Sequence, residues 1–277
     1  MSNIVITGAT AGIGRASAIL LASKGHRVFA TGRNEAALAE LESGYENITA
    51  VEMDVTDKTS VSEAAARISD ALAGQAPDVL VNNAGVAVAG PIEAIDDQSW
   101  ERQYQTNVLG LVRVTRAFLP AMRERRRGRI INVSSAAGRV TLPFFAPYNS
   151  TKQAVESISD SMRQELRPHG VQVVVIEPGA VKTRLGSFEQ EQLQDWVDDA
   201  PAYASQLKRL KTFHKQLYAK GADPVTVAGS IVDACETHNP SPRRIVPLLP
   251  GAVFILIKAL LPTRVSDWVV QKITGLP

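Results

Sequence analysis

Short β-branched runs alternate with longer stretches whose apolar residues recur at helical spacing along the 277 residues of the chain. The two-residue and 3.6-residue periods predict strands at 3–7, 26–31, 48–53, 78–82, 129–134, 171–177 and 243–246. Helices are expected near 12–24, 34–42, 58–73, 97–124, 148–167, 224–237 and 252–274. Strands that alternate with helices pair in parallel through right-handed crossovers, which places helices on both faces of the sheet. The expectation is one α/β domain spanning 1–277, doubly wound, with a seven-stranded, mainly parallel sheet flanked by helices. Two segments fall outside the alternation. Residues 184–222 form a polar amphipathic insertion from Phe188 through Tyr218. Residues 250–277 form a C-terminal helical segment that opens with the apolar run Pro250 to Leu261.

Composition adds limits. A 45% hydrophobic content is enough for a sizeable core at this length. A net charge of +2 argues against a general nucleic-acid binder. The local basic run Arg123 to Arg129 reads as a solvated helix end that Gly128 stops before the next strand. Cys235 is the one cysteine, so no intrachain disulfide forms, and within a helical apolar stretch it reads as a small core hydrophobe. No signal peptide and no apolar run of about 18 residues is visible, so no transmembrane span is expected and the cytoplasm is the simplest home. The four histidines lack metal-ligand spacing, and no metal is expected.

Candidate chemistry gathers where strands end. Gly8-Ala9-Thr10-Ala11-Gly12-Ile13-Gly14 lies between the first strand and the first helix. Glycines there let the backbone approach a pyrophosphate, and the free N–H groups of the new helix favour negative charge. A purely structural glycine turn is the alternative, because the spacing is not G-x-G-x-x-G. The second strand ends in Thr31-Gly32-Arg33, with glycine where an NAD-preferring site places a carboxylate. Arg33 carries a guanidinium suited to a 2′-phosphate, so NADP(H) is preferred and NAD(H) is the alternative. An exposed Arg opening the next helix would look the same. Tyr148 and Lys152, four residues apart, stack a phenol and an ammonium on one helix face. An adjacent cation favours the phenolate, although a packed Tyr beside a solvated Lys has the same spacing.

Taken in order, Thr7-Gly8-(three residues)-Gly12-Ile13-Gly14, Asn82-Asn83-Ala84-Gly85, Asn107, Ser135, Tyr148-(three residues)-Lys152 and Pro178-Gly179 resemble the short-chain dehydrogenase/reductase family. The resemblance runs from residue 3 to the neighbourhood of Thr183 and is nearest in character to hydroxysteroid/retinol dehydrogenase-like and carbonyl reductase members. It implies a Rossmann fold in which Gly8, Thr10, Gly12, Ile13 and Gly14 cradle the dinucleotide. By the same resemblance Asp54 and Val55 border the adenine, Asn82, Ala84 and Gly85 line the cofactor wall, and Pro178, Gly179, Val181 and Thr183 lie beside the nicotinamide. Ser135 would hydrogen-bond the substrate oxygen and Tyr148 would donate or remove its proton. Lys152 would lower the Tyr148 pKa and hold the ribose hydroxyls, and Asn107 would support a water-linked proton path. Residue-level alternatives stay open: Asp54 as a turn residue, Asn107 as a satisfied buried amide, Pro178-Gly179 as an ordinary turn. Ser134, one residue before Ser135, should face the other side of its strand.

The implied activity is interconversion of a ketone or aldehyde and an alcohol by hydride transfer. Val140, Leu142, Phe144 and Phe145, together with the apolar C-terminal run, suggest a pocket for a small hydrophobic carbonyl or alcohol substrate, steroid-, retinoid- or acyl-like. A packing tail is the commoner reading of that apolar run, with a dimer contact or a peripheral membrane contact as the remaining alternatives. Residues 184–222 stand where relatives carry a substrate lid. A homodimer or homotetramer through the helices near 97–124 and 148–167 is also implied. The competing function is a catalytically idle NADP(H)-binding regulatory protein, which would have no physical need for Ser135, Tyr148 and Lys152 together.

Overall fold

In the computed structural model, residues 1–247, 255 and 260–276 are described. Seven strands form one parallel sheet: β1 (Asn3–Ile6), β2 (Arg27–Gly32), β3 (Ile48–Glu52), β4 (Val79–Asn82), β5 (Gly128–Val133), β6 (Val171–Pro178) and β7 (Arg243–Val246). Their order is β3-β2-β1-β4-β5-β6-β7, so the chain reverses its direction of winding between β1 and β4. Register is set by apolar pairs on both sides of the first strand, with Ile4 opposite Val28 and Val79.

Successive residues of the inner strands enter opposite cores, which is why those strands read as apolar runs, whereas edge strand β7 (Arg243-Arg244-Ile245-Val246) gives only Val246 to a core. Ile4, Ile6, Val28, Val81, Ile131 and Ile176 pack beneath α1 (Gly12–Ser23), α2 (Glu35–Gly44) and α9 (Pro224–Glu236). Val5, Phe29, Leu80, Ile130 and Val173 face α3 (Lys58–Ala71), α5 (Leu111–Glu124) and α6 (Ala146–Leu166). Cys235 belongs to the first core, and burial pushes its thiol up to about 12.

Two sequence expectations need correction here. The helix expected over 97–124 is α4 (Asp97–Tyr104), a π-helical turn (Gln105–Gly110) and then α5. The widened turn lets the helix pass close to the end of β3, since a Cβ on Gly110 would stand 2.8 Å from Val55 Cγ2. The basic run is not simply solvated. Arg125 donates to the carbonyls of Ala76 and Pro77, and Arg129 donates to the carbonyls of Ala234, Cys235 and Thr237 at the end of α9. Gly128 opens β5, and the reversal falls on Arg126, whose φ is +52°. The amphipathic insertion after β6 folds as two helices, α7 (Arg184–Asp199) and α8 (Ala204–Ala219), packed on one another. A last helix, α10 (Thr263–Thr274), packs on α8. Most of the apolar run Pro250 to Leu261 lies outside the described residues. Among the described residues no helix is long and apolar enough to cross a membrane.

Candidate active site

A cavity of about 1420 Å³ opens at the carboxyl ends of the strands, where doubly wound sheets bind ligands. Its floor begins at the glycine turn after β1. Thr7 Oγ1 accepts the backbone N–H groups of Asn83 and Ala84, both at 2.9 Å, and Asn83 Nδ2 donates to the carbonyls of Thr7 and Gly8. This clamp holds Gly8 at φ +64°, and a Cβ there would stand 2.9 Å from Ala84 Cα. Gly8, Thr10, Gly12 and Ile13 line the cavity. Ala11 at the N-cap of α1 supplies no side-chain acceptor, so the first N–H groups of that helix are open to an anion. Gly14 does not line the cavity. Its site is one of packing, since a Cβ there would collide with the Gly8 carbonyl.

At the far rim, Gly32 packs so closely on Thr10 that an added Cβ would lie 2.7 Å from Thr10 Cγ2, leaving no room for a carboxylate. Arg33 follows with a side chain 69% exposed and a nitrogen 3.7 Å from Asp54 Oδ2. Asp54 is both turn residue and wall. Burial pushes its carboxyl up, but the bonds it accepts from Thr56 N–H and hydroxyl, with the Arg33 charge, outweigh that and hold it below the usual range. Val55, Ala84, Gly85, Pro178, Gly179, Val181 and Thr183 complete this part of the lining. Asn82 does not belong to it. Its amide is buried beneath the strand ends and donates to Thr115 Oγ1 at 3.0 Å and Asn132 Oδ1 at 2.9 Å. A glycine cradle, an uncapped helix start and an exposed guanidinium suit a phosphorylated dinucleotide.

At the middle of the cavity α6 presents Tyr148 and Lys152 from its first two turns, facing Ser135 at the end of β5. The Ser135 hydroxyl accepts the Ala137 N–H at 3.1 Å and donates to Pro178 O at 3.5 Å. Ser134 points differently, with its hydroxyl toward Lys152 O and Glu156. Lys152 Nζ donates to Val133 O at 3.0 Å and lies 5.7 Å from the centre of the Tyr148 ring. Burial lowers the Lys152 pKa to about 8, opposed by the charge of Glu156. The expected acidification of Tyr148 by Lys152 is not found. Burial raises the phenol above its ordinary value, the Glu189 charge adds to this, and the polar Ser135 hydroxyl opposes it. Asn107 also departs from expectation. It is buried off the cavity on the π turn, where its amide is occupied by Val86 N, Val86 O and Thr151 Oγ1. It remains near the lysine across Gly85, since a Cβ on Gly85 would be 3.4 Å from Asn107 Oδ1 and 3.8 Å from Lys152 Nζ.

The third side of the cavity is α7 and α8. Trp196 Nε1 donates to Ala89 O at 2.8 Å and Gln192 bonds Ala87 O and Ala89 N, which docks α7 on the loop after β4. The two ends of the insertion meet, with Val181 bridged to Ala222 and Lys182 N donating to Ala222 O.

A family model described as short chain dehydrogenase matches residues 2–194. The chain belongs to the short-chain dehydrogenase family. It is 32% identical to a 3-ketodihydrosphingosine reductase from Bacteroides thetaiotaomicron, over 97% of this chain and 96% of the relative. Identity is also 32% to an NADPH-dependent 3-dehydrocapnine reductase from Ornithobacterium rhinotracheale, over 98% of this chain and 97% of the relative. A solved short-chain dehydrogenase from Streptomyces avermitilis superposes with a TM-score of 0.79 at 30% identity, covering 99% of this chain and 96% of that one.

The wall of the cavity formed by α7, α8 and α10 brings in further residues. Phe188, Glu189, Phe213, His214, Leu217 and Tyr218 line the cavity from α7 and α8, and Ile273 reaches it from α10. Val140, Leu142 and Phe145 line it as expected from their apolar character. Phe144 does not. It packs edge-on against Tyr203, 5.7 Å between ring centres, with φ +64° turning it away. The overlooked signal was a helical stripe, Glu189-Leu193-Val197 against Leu207-Leu210-His214, with a carboxylate and an imidazole on otherwise apolar faces.

Proposed function

We propose that this short-chain dehydrogenase is an NADP(H)-dependent reductase of a ketone carried on an apolar group. The observation that carries the reading is one continuous cavity. It runs from Arg33, past the glycine turn, to Ser135, Tyr148 and Lys152, and ends among Leu142, Phe145, Phe188, Phe213 and Leu217. The 3-dehydrocapnine reductase is named as NADPH-dependent, and both named relatives act on keto compounds, which supports cofactor and reaction direction alike.

In this reading the Ser135 hydroxyl donates to the substrate carbonyl oxygen and holds the carbonyl in place. When bound, NADPH supplies the hydride that reduces that carbon. Tyr148 then gives its phenolic proton to the oxygen. A raised phenol pKa keeps that proton in place at neutral pH until the forming alkoxide takes it. Lys152 would hold the ribose hydroxyls of the cofactor with its ammonium. Lids of this kind exclude water from the reacting atoms, and α7 and α8 occupy that place.

The test is loss of nicotinamide absorbance with a panel of ketones graded from small and polar to long-chain, repeated with NADH. Turnover that rises with apolar bulk and favours NADPH is expected. Tight NADPH binding without turnover across the panel would replace this reading with a cofactor-binding regulator.

A further inference from the structure

One buried carboxylate has no part in that mechanism. The side chains of Glu189 and His214 are each 3% exposed, and Glu189 Oε2 receives both His214 Nε2 at 2.9 Å and the Tyr218 hydroxyl at 2.8 Å. Among the described residues, Oε1 accepts no hydrogen bond and no Lys or Arg pairs with the carboxylate. His214 Nδ1 is buried without a partner. An imidazolium would therefore bury a donor with nothing to accept it, so the geometry suits neutral His214 donating through Nε2. His214 is held in this orientation by stacking on Phe145, 5.8 Å between centres, and on Tyr218, 4.2 Å. The result is a carboxylate fixed from behind by two donors, lining the cavity with one oxygen unclaimed. Burying such a charge in apolar surroundings is costly unless a counter-charge completes it.

We propose that Glu189 receives a substrate ammonium group, so that the preferred substrate is an amino ketone on an apolar chain, with the amine close to the carbonyl. This rests on the ketone-reductase reading above. A neutral hydroxyl would satisfy Oε1 but leave the charge uncompensated, which is why the ammonium is the better fit. The carboxylate also lies within electrostatic reach of the phenol, since its charge helps to raise the Tyr148 pKa. An ammonium seated on Glu189 cancels that charge at the moment of binding. The substrate group that is recognised thereby also loosens the proton that Tyr148 must deliver.

The experiment compares a long-chain α-amino ketone with the ketone of the same chain lacking the amine, each with NADPH, in wild type and Glu189→Gln. Wild type should prefer the amino ketone in kcat/KM by about 30-fold or more, the low end for one buried charge pair, and E189Q should collapse that ratio. In parallel, binding of dodecylammonium and dodecanol is measured by calorimetry, with NADPH affinity reporting that each protein is folded. If dodecylammonium binds more tightly than dodecanol only when Glu189 is present, yet neither ketone is reduced, the ammonium site stands and the ketone-reductase reading falls. If both ketones are reduced with no amine preference and the two amphiphiles bind alike, the site is overturned and the reductase reading survives. An equal loss on both ketones in E189Q would also overturn it, making Glu189 a structural support. Should E189Q fail to bind NADPH, the wild-type preferences decide the matter alone.

Discussion

At the glycine turn the cavity wall is backbone. Gly8, Gly12 and the open N–H groups of α1 face the site, and the surrounding hydrogen bonds fix φ at Gly8 where an L side chain is strained. Across the cavity, on α7 and α8, the wall is side chain: Phe188, Glu189, Phe213 and His214 project from regular helices whose backbones bond only to themselves. A backbone wall recognises what every phosphorylated dinucleotide shares and tolerates almost no substitution. A side-chain wall can be rewritten one residue at a time without disturbing the helix beneath it.

The sharpest break in this contrast is at the junction of the two walls. Tyr148→Phe removes the proton donor and should lower kcat about 10³-fold, while NADPH affinity by fluorescence titration stays within a factor of two. Retention of a tenth of the rate would deny Tyr148 its role. Gly8→Ala tests the backbone wall. A side chain at φ +64° that also crowds Ala84 should weaken NADPH binding about 30-fold, with the weakened cofactor site also visible as loss of thermal protection by NADPH. Gly186→Ala tests the other wall. The new methyl collides with the Tyr218 ring and pushes α7 from α8, so KM for the ketone should rise about tenfold while NADPH affinity holds. If both constants move together, the two walls are not separable.

Arg33→Ala should cut the preference for NADPH over NADH about tenfold, the loss of one charge-assisted contact; an unchanged preference in side-by-side kinetics would exclude Arg33 as the phosphate reader. The smallest effect concerns pH. With a Lys152 pKa of about 8, the ammonium is present below that pH and lost above it. kcat/KM for NADPH should therefore fall as pH rises through about 8, and Lys152→Met should flatten that limb.

The same division explains what was legible in the sequence. Strand and helix positions followed from periodicity because the inner strands are covered on both faces and read as apolar runs between turn residues. Glycine positions were legible because close backbone approach and positive φ demand that residue. Asn82 misled because an amide at a strand end looks the same whether it meets a ligand or, as here, Asn132 and Thr115. Asn107 was harder still. A π turn is one extra residue in a helix and leaves no mark in hydrophobic spacing, yet it carries the amide back to Val86. Glu189 and His214 escaped because single polar residues on an apolar helix face acquire meaning only when two helices bring them together.

The closed base of the insertion has a consequence for the history of the molecule. Chain leaves the sheet at Val181 and returns at Ala222 beside the point of departure, joined there by Lys182 N to Ala222 O and Ala222 N to Ala180 O. Everything between is a cassette with its two ends already stitched, and loop length alters closure entropy only slowly. Such a segment can be lengthened, shortened or exchanged between paralogues while the nucleotide half is inherited intact, which makes new substrate ranges reachable by recombination at a single seam.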